Sequence, residues 1–302
     1  MPAFFLKRLW ISSMNPPIHV AGLHKPFIVY HPTSTPIALV LDSPHSSTHI
    51  PQDMHAALAD NELRDGEDLL VDELWKEAPA YGAHFLVAGF SRVYIDPNRH
   101  LADIDTAMLD GCWPHALQPS GKAAIGKALV WRTLDDGRLI YDRLLSVEEL
   151  AQRINLYAAP YQAQLAALID DLHRDHGYCY HINCHSMNAV SGKMGQGGAG
   201  IARADVVLGD RDGTTCEAGF TDFVAAHFRE LGLDVKINDP FKGVELVRAF
   251  SDPSRGRHSL QIELNKRLYL QADGRSPSAN FPKLQQDLNA LTIKLADYIK
   301  KS

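Results

Sequence analysis

Apolar positions along this chain fall into two periods. Short continuous or alternating apolar runs predict strands over 37–41, 84–88, 92–96, 180–187, 205–209, 234–237, 244–248 and 258–265. Apolar stripes three and four residues apart predict helices between them. These cover about 53–63, 68–75 with Leu70, Val71, Leu74 and Trp75 as the stripe, 147–175, 217–231, and 280–300 through Leu284, Leu288, Leu291, Leu295 and Tyr298. Ser146 with Glu149 forms a capping box ahead of the long third helix, Pro160 is expected to kink it, and it should stop at Gly177. Asp135-Asp136-Gly137 between two apolar runs signals a hairpin. Strands alternating with helices imply an α/β layered fold, and the hairpin with the closely spaced late strands makes the central sheet mixed.

In an open α/β sheet, ligands gather at the carboxyl ends of the strands. Four polar groups stand there: His45, the Arg92/Asn98/Arg99 group, His185 and Glu263. The two-residue period of a strand puts His181, Asn183 and His185 on one face, and likewise Gln261, Glu263 and Asn265. Two imidazoles and a carboxylate are the donor set of a catalytic zinc with one open position. A separate glutamate can move protons, and arginines can stabilise an oxyanion or grip a carboxylate.

Each residue also has an ordinary reading. Asp68 could favour a helix N-terminus, Arg92 could pair with Asp96, and Glu263 could pair with Lys266 or Arg267. Ser46 and Ser186 suit local hydrogen bonds, and no GxSxG-type elbow surrounds either. His49 and His181 are alternative ligands or structural histidines, His100 could reach a substrate beside Arg99, and Cys184 points away from the His185 face.

Composition narrows the setting. The 302 residues are 45% apolar and 22% charged with net charge −6, so nothing suggests a nucleic-acid partner. Four cysteines without CxxC spacing favour a reduced, cytoplasmic compartment over a disulfide framework. The start is too short an apolar run for a membrane span, residues 1–26 are expected to form a poorly ordered extension, and Met14 is an alternative first residue. Residues 27–302 then form a single domain, and the 100–128 loop carries no clear pattern.

Five segments in order resemble the N-formylglutamate amidohydrolase family: Ser43-Pro44-His45-Ser46, Ser91 to Arg99, Asn183-Cys184-His185-Ser186-Met187, Phe241-Lys242-Gly243, and Gly256 to Leu264. The resemblance spans roughly 35–275. It implies a three-layer α/β/α fold similar to zinc carboxypeptidases and aspartoacylase, of the phosphorylase/hydrolase type, and zinc-dependent hydrolysis of an N-acyl amino acid, yielding formate and glutamate in histidine breakdown. It makes His45 and His185 zinc ligands, Glu263 the general base, Arg92 the oxyanion arginine, and Asn98 with Arg99 the grip on the substrate carboxylate. Carboxypeptidases take a third ligand three residues after the first histidine, which here is Thr48. Asp68 is the expected replacement, with Glu67 and Asp72 open. A deacylase for another N-acyl amino acid and a zinc-free binding module are the competing readings. No macromolecular partner is implied.

Overall fold

The computed structural model describes residues 25–194 and 198–301. The expected extension over 1–26 lies outside them except for its last two residues. Seven strands form one sheet: β1 (Phe27–Tyr30), β2 (Leu39–Ser43), β3 (His84–Ala88), β6 (Cys179–Met187), β7 (Val206–Gly209), β8 (Val235–Ile237) and β9 (Arg257–Asn265), in the order β1-β3-β2-β6-β9-β7-β8. The two-residue strands β4 (Leu109–Asp110) and β5 (Leu145–Ser146) pair separately. β3, β2, β6 and β9 run parallel, while β1 and β7 are antiparallel to their neighbours β3 and β9. The sheet is therefore mixed.

β6 and β9 are the axis. They pair over nine residues from Cys179↔Arg257 to Met187↔Asn265, and every β6 residue is buried. Tyr180, Ile182 and Cys184 join Leu260, Ile262 and Leu264 in a core. That core packs against α2 (Val71–Trp75), α5 (Ala218–Glu230) and α7 (Phe281–Ile299). The opposite face carries the polar set His181, Asn183, His185, Ser259, Gln261 and Glu263. A second core covers its surroundings, built on α3 (Val147–Arg153) and α4 (Ala159–His176). Helices on both faces make three layers, and the segregated faces follow from the strand period.

Local signals behave as the chain's chemistry dictates. Ser146 Oγ accepts from Glu149 N at 3.0 Å at the start of α3. Gly177 closes α4 at φ +81°, with its N–H on His173 O. Between α3 and α4 the expected kink is a π-helical turn over Ile154–Ala158, just before Pro160, whose missing N–H cannot continue the α-helical ladder.

Other expectations change. No strand forms over 92–96; the segment is a series of turns. Asp96 Oδ1 accepts from Asn98 N at 2.9 Å, and Tyr94 N bonds Ser91 O at 3.1 Å, so side-chain and turn bonds replace a ladder. The expected strand over 244–248 is instead the start of a helix, α6 (Glu245–Phe250), with Val244 as its N-cap and Asn98 Oδ1 accepting from Leu246 N in its first turn at 2.9 Å. The expected helix over 53–63 is a 3-10 turn (Gln52–Met54) and the single turn α1 (Asp60–Leu63). The edge strand β1 carries no clear sequence signal, and its Ile28 and Tyr30 stay exposed.

Candidate active site

β2 runs into His45, and β6 into His185, two neighbouring strands delivering their histidines to the same end of the sheet. Asp68 arrives from the loop before α2 and is tied there by its N–H on His45 O, at 3.0 Å. The three side chains converge. His45 Nδ1 lies 3.1 Å from His185 Nδ1 and 3.3 Å from Asp68 Oδ2, and His185 Nδ1 is 2.8 Å from the same oxygen. All three residues are buried. Among the described residues no other histidine, cysteine or carboxylate joins the group. Glu67 instead pairs with Arg64 at 2.9 Å, and His181 lies deeper, against Ser259 and Asp42.

The outer ring nitrogens decide what the inner ones can do. His45 Nε2 is 2.7 Å from Asp96 Oδ1, and His185 Nε2 is 2.7 Å from Asn183 Oδ1. Each Nε2 faces an acceptor; with its proton there each Nδ1 can offer a lone pair to a cation, and with its proton on Nδ1 it donates to Asp68 instead. In the first form three electron-rich atoms face one point about 3 Å apart. Ligands about 2.05 Å from a tetrahedral zinc stand roughly 3.3 Å from each other, so the donor set and its spacing fit such an ion. A carboxylate or amide behind each histidine is the usual support of a ligating imidazole.

Electrostatics agree. Burial works to raise Asp68, but hydrogen bonds from His185 and His45 outweigh it and hold it far below the ordinary carboxylate range. Burial holds His185 below its usual value, which favours the neutral, ligating form. Glu263, in register with His185 on β9, is pushed well above its usual value by burial and then by the Asp68 charge. Gln261 Nε2 donates to Glu263 Oε1 at 2.8 Å, which leaves the second oxygen for other work.

Arg92 reaches the cluster from the 91–99 turns. Its Nη2 donates to Asp96 Oδ2 at 2.8 Å, its Nη1 lies 3.9 Å from Asp68 Oδ1, and its guanidinium sits 4.7 Å from the Trp131 ring centre. The ordinary pairing with Asp96 is thus present, and the same guanidinium still faces the cluster. Arg99 is buried, donating to Lys127 O and Asn98 O, with Nη2 3.9 Å from Asp96. Asn98 Oδ1 holds Leu246 N, and its Nδ2 lies 3.3 Å from Asn183 Oδ1 and 3.1 Å from His185 Nε2, which puts its amide directly behind the histidine.

Sequence patterns do not reveal several participants. Asp96 supports His45 and two arginines at once; its family-like segment was visible, its role was not. The 100–128 loop is folded back by Asp103, which accepts from Ser120 N and Oγ at 2.7 and 2.6 Å. That fold carries Lys122 one tight turn from Lys127, whose carbonyl receives Arg99. Lys122 is half-buried, with its charge disfavoured by burial and then by Arg99 and Arg92. A cleft of about 860 Å³ is lined by Glu67, Leu69, Asn188 and Lys266, chain neighbours of the site, but by none of His45, Asp68, Arg92, His185 or Glu263 themselves.

Known proteins share this arrangement of chain. Residues 37–270 match the family description N-formylglutamate amidohydrolase. An N-formylglutamate deformylase of Pseudomonas aeruginosa is 24% identical over 268 residues, covering 86% of this chain and 92% of that protein. One from Pseudomonas putida is 25% identical over 240 residues, covering 78% and 82%. The solved structure of an N-formylglutamate amidohydrolase from Ralstonia eutropha JMP134 superposes with a TM-score of 0.86 at 43% identity, over 91% of this chain and 99% of that one. A protein from Agrobacterium tumefaciens shares the fold at 18% identity and a TM-score of 0.65. With the match extending from the first core strand beyond β9, this chain belongs to the N-formylglutamate amidohydrolase family.

Proposed function

We propose that this protein is a zinc-dependent amidohydrolase that cleaves N-formyl-L-glutamate to formate and glutamate. The observation that carries the reading is the meeting of His45 Nδ1, His185 Nδ1 and Asp68 Oδ2, with a buried glutamate beside them. The formyl group and the glutamate come from what the Pseudomonas relatives are named for.

His45, Asp68 and His185 would hold the ion, which when bound supplies a Lewis acid for the amide carbonyl and lowers the pKa of water. Glu263 takes the proton of the attacking water through the oxygen that Gln261 leaves free, then returns it to the departing nitrogen. Arg92, held in place by Asp96 and Trp131, stabilises the charge that develops on the carbonyl oxygen. Arg99 and Lys122 supply positive charge for the carboxylates of an acidic amino acid, and Asn98 acts behind the site as a brace. Residues 27–302 act as one domain. No helix among the described residues is long and apolar enough to cross a membrane. The four cysteines, all free, suit the reducing cytoplasm.

The test is metal content with turnover. Protein purified without chelator should carry about one zinc per chain. It should hydrolyse N-formylglutamate ahead of N-acetyl and N-succinyl amino acids, lose activity on chelation, and regain it with zinc. Full turnover in the chelated protein would overturn the metal reading, and a faster rate on another acyl amino acid would overturn the substrate.

A further inference from the structure

We propose that Tyr269 is a positioning residue whose hydroxyl holds the turn presenting Asp68 in a left-handed conformation that its sequence disfavours. The inference rests on reading Asp68 as a ligand beside His45 and His185.

Asp68 begins the turn Asp68-Leu69-Leu70-Val71, closed by Val71 N–H on Asp68 O at 3.2 Å. Leu70, its third residue, has φ +60° and ψ +13°. A positive φ at that position is what glycine supplies in a type II turn, having no Cβ to clash with the backbone. Leucine has that Cβ. Leu70 is also the N-cap of α2, where residues ordinarily take extended angles. The chain therefore keeps a strained residue two positions from Asp68, with no glycine to favour it.

What separates this turn from a relaxed one is the direction of the Leu69–Leu70 peptide. A type I turn keeps φ negative at the third position and turns that peptide over, while its first and last residues stay bonded. The partner of the Leu69 carbonyl thus decides between the two. Tyr269 Oη donates to it at 2.9 Å. Tyr269 and Leu69 are both buried, so water has little access to the bond. The tyrosine itself is held firmly: a 3-10 turn (Lys266–Leu268) joins it to β9, and its carbonyl takes Ser278 N–H at 2.8 Å. Phe281 of α7 meets its ring edge-on at 6.3 Å.

The hydroxyl therefore ties the strand that carries Glu263 to the loop that carries Asp68. With Leu69 O released, Leu70 relaxes to negative φ, the peptide turns over, and the link between Asp68 and α2 is reshaped. The carboxylate then loses its fixed aim at the two histidines. Strain at one residue and the worth of one buried hydrogen bond are of the same order, so a single hydroxyl suffices to hold the balance. Packing of the half-buried Leu70 side chain on the core is the rival cause, and glycine at 70 separates the two.

The test uses the full-length protein as wild type, Tyr269→Phe, Leu70→Gly and the double variant, with zinc affinity read by chelator competition. Tyr269→Phe should weaken zinc binding about tenfold, the scale of losing a support behind a metal ligand. Leu70→Gly alone should leave it within about twofold, and added to Tyr269→Phe should restore it, since glycine takes positive φ without help. A second readout needs no metal. Backbone 13C and 15N shifts of leucine-labelled, metal-free protein, with Leu70 identified by its loss in Leu70→Gly, should show a left-handed residue in the wild type and lose it in Tyr269→Phe. Unchanged affinity in Tyr269→Phe would overturn the proposal, as would a loss with Leu70→Gly alone or a double variant that stays weak. Unchanged Leu70 shifts in Tyr269→Phe would overturn it even if the double variant does not fold. A wild type that binds no zinc, with Leu70 shifts that do move in Tyr269→Phe, would uphold the turn and remove the ligand reading of Asp68.

Discussion

Asp96 accepts the Nε2 proton of His45 at 2.7 Å on the ring edge opposite the nitrogen that faces His185 and Asp68. Its other oxygen takes Arg92 at 2.8 Å. One fully buried carboxylate therefore aims a histidine and an arginine into the same site. Burial opposes its charge, but Arg92, His45 and Arg99 together hold Asp96 well below the ordinary carboxylate range.

Replacing that carboxylate by an amide should disturb both functions together. Asp96→Asn is expected to weaken zinc binding about 10- to 100-fold and to lower kcat, since Arg92 loses its anchor as well. Chelator competition and steady-state kinetics on one preparation measure the two effects. Unchanged zinc affinity would separate Asp96 from His45.

Glu263→Gln should keep zinc and lose about 10²- to 10⁴-fold in kcat, the range of a general acid–base group. Its effect on the metal-free protein has a defined sign. Burial and Asp68 raise the Glu263 pKa in the folded state, while the unfolded chain titrates near the ordinary value of about 4.3. Between these values the folded state holds a proton the unfolded chain has released, so stability falls as pH rises through that window. Metal-free Glu263→Gln should therefore melt above the metal-free wild type at pH 7, and the two should converge below about pH 4.

Lys122→Met should raise KM for N-formylglutamate about tenfold, with little change for N-formylmethionine, which lacks the second carboxylate. Arg99→Lys should raise KM for both substrates, because lysine lacks the fork that joins Lys127 O, Asn98 O and a substrate oxygen. Equal KM effects of Lys122→Met on the two substrates would remove its part in choosing the side chain.

Away from the site, Arg153 tests what holds the second layer. It is buried, donates to Tyr94 O at 3.0 Å and Tyr141 Oη at 2.7 Å, and pairs with Glu149. Arg153→Met leaves those acceptors without a donor, while Glu149 keeps Arg143. The expected cost is about 3 kcal/mol, the lower end for breaking a buried pair, read as a lowered midpoint in urea unfolding.

The sequence by itself determined the layers and most strands that carry the site. A two-residue period needs only neighbours in the chain. It therefore put His181, Asn183 and His185 on one face of β6, and Glu263 on the matching face of β9. Caps such as Ser146 and Gly177 were legible for the same reason, their partners lying three or four residues away. Tertiary structure decided the rest through hydrogen bonds between segments far apart in sequence. The contacts of Asn98, its oxygen on Leu246 N and its nitrogen beside Asn183, join segments that no local pattern links, and the expected strand over 244–248 is the helix α6. Lys122 had no signal at all, and its charge comes near those of Arg99 and Arg92 within a loop that Asp103 folds back. Local pattern fixes which face a side chain takes, whereas the partner that completes a buried polar group depends on which distant segment packs against it.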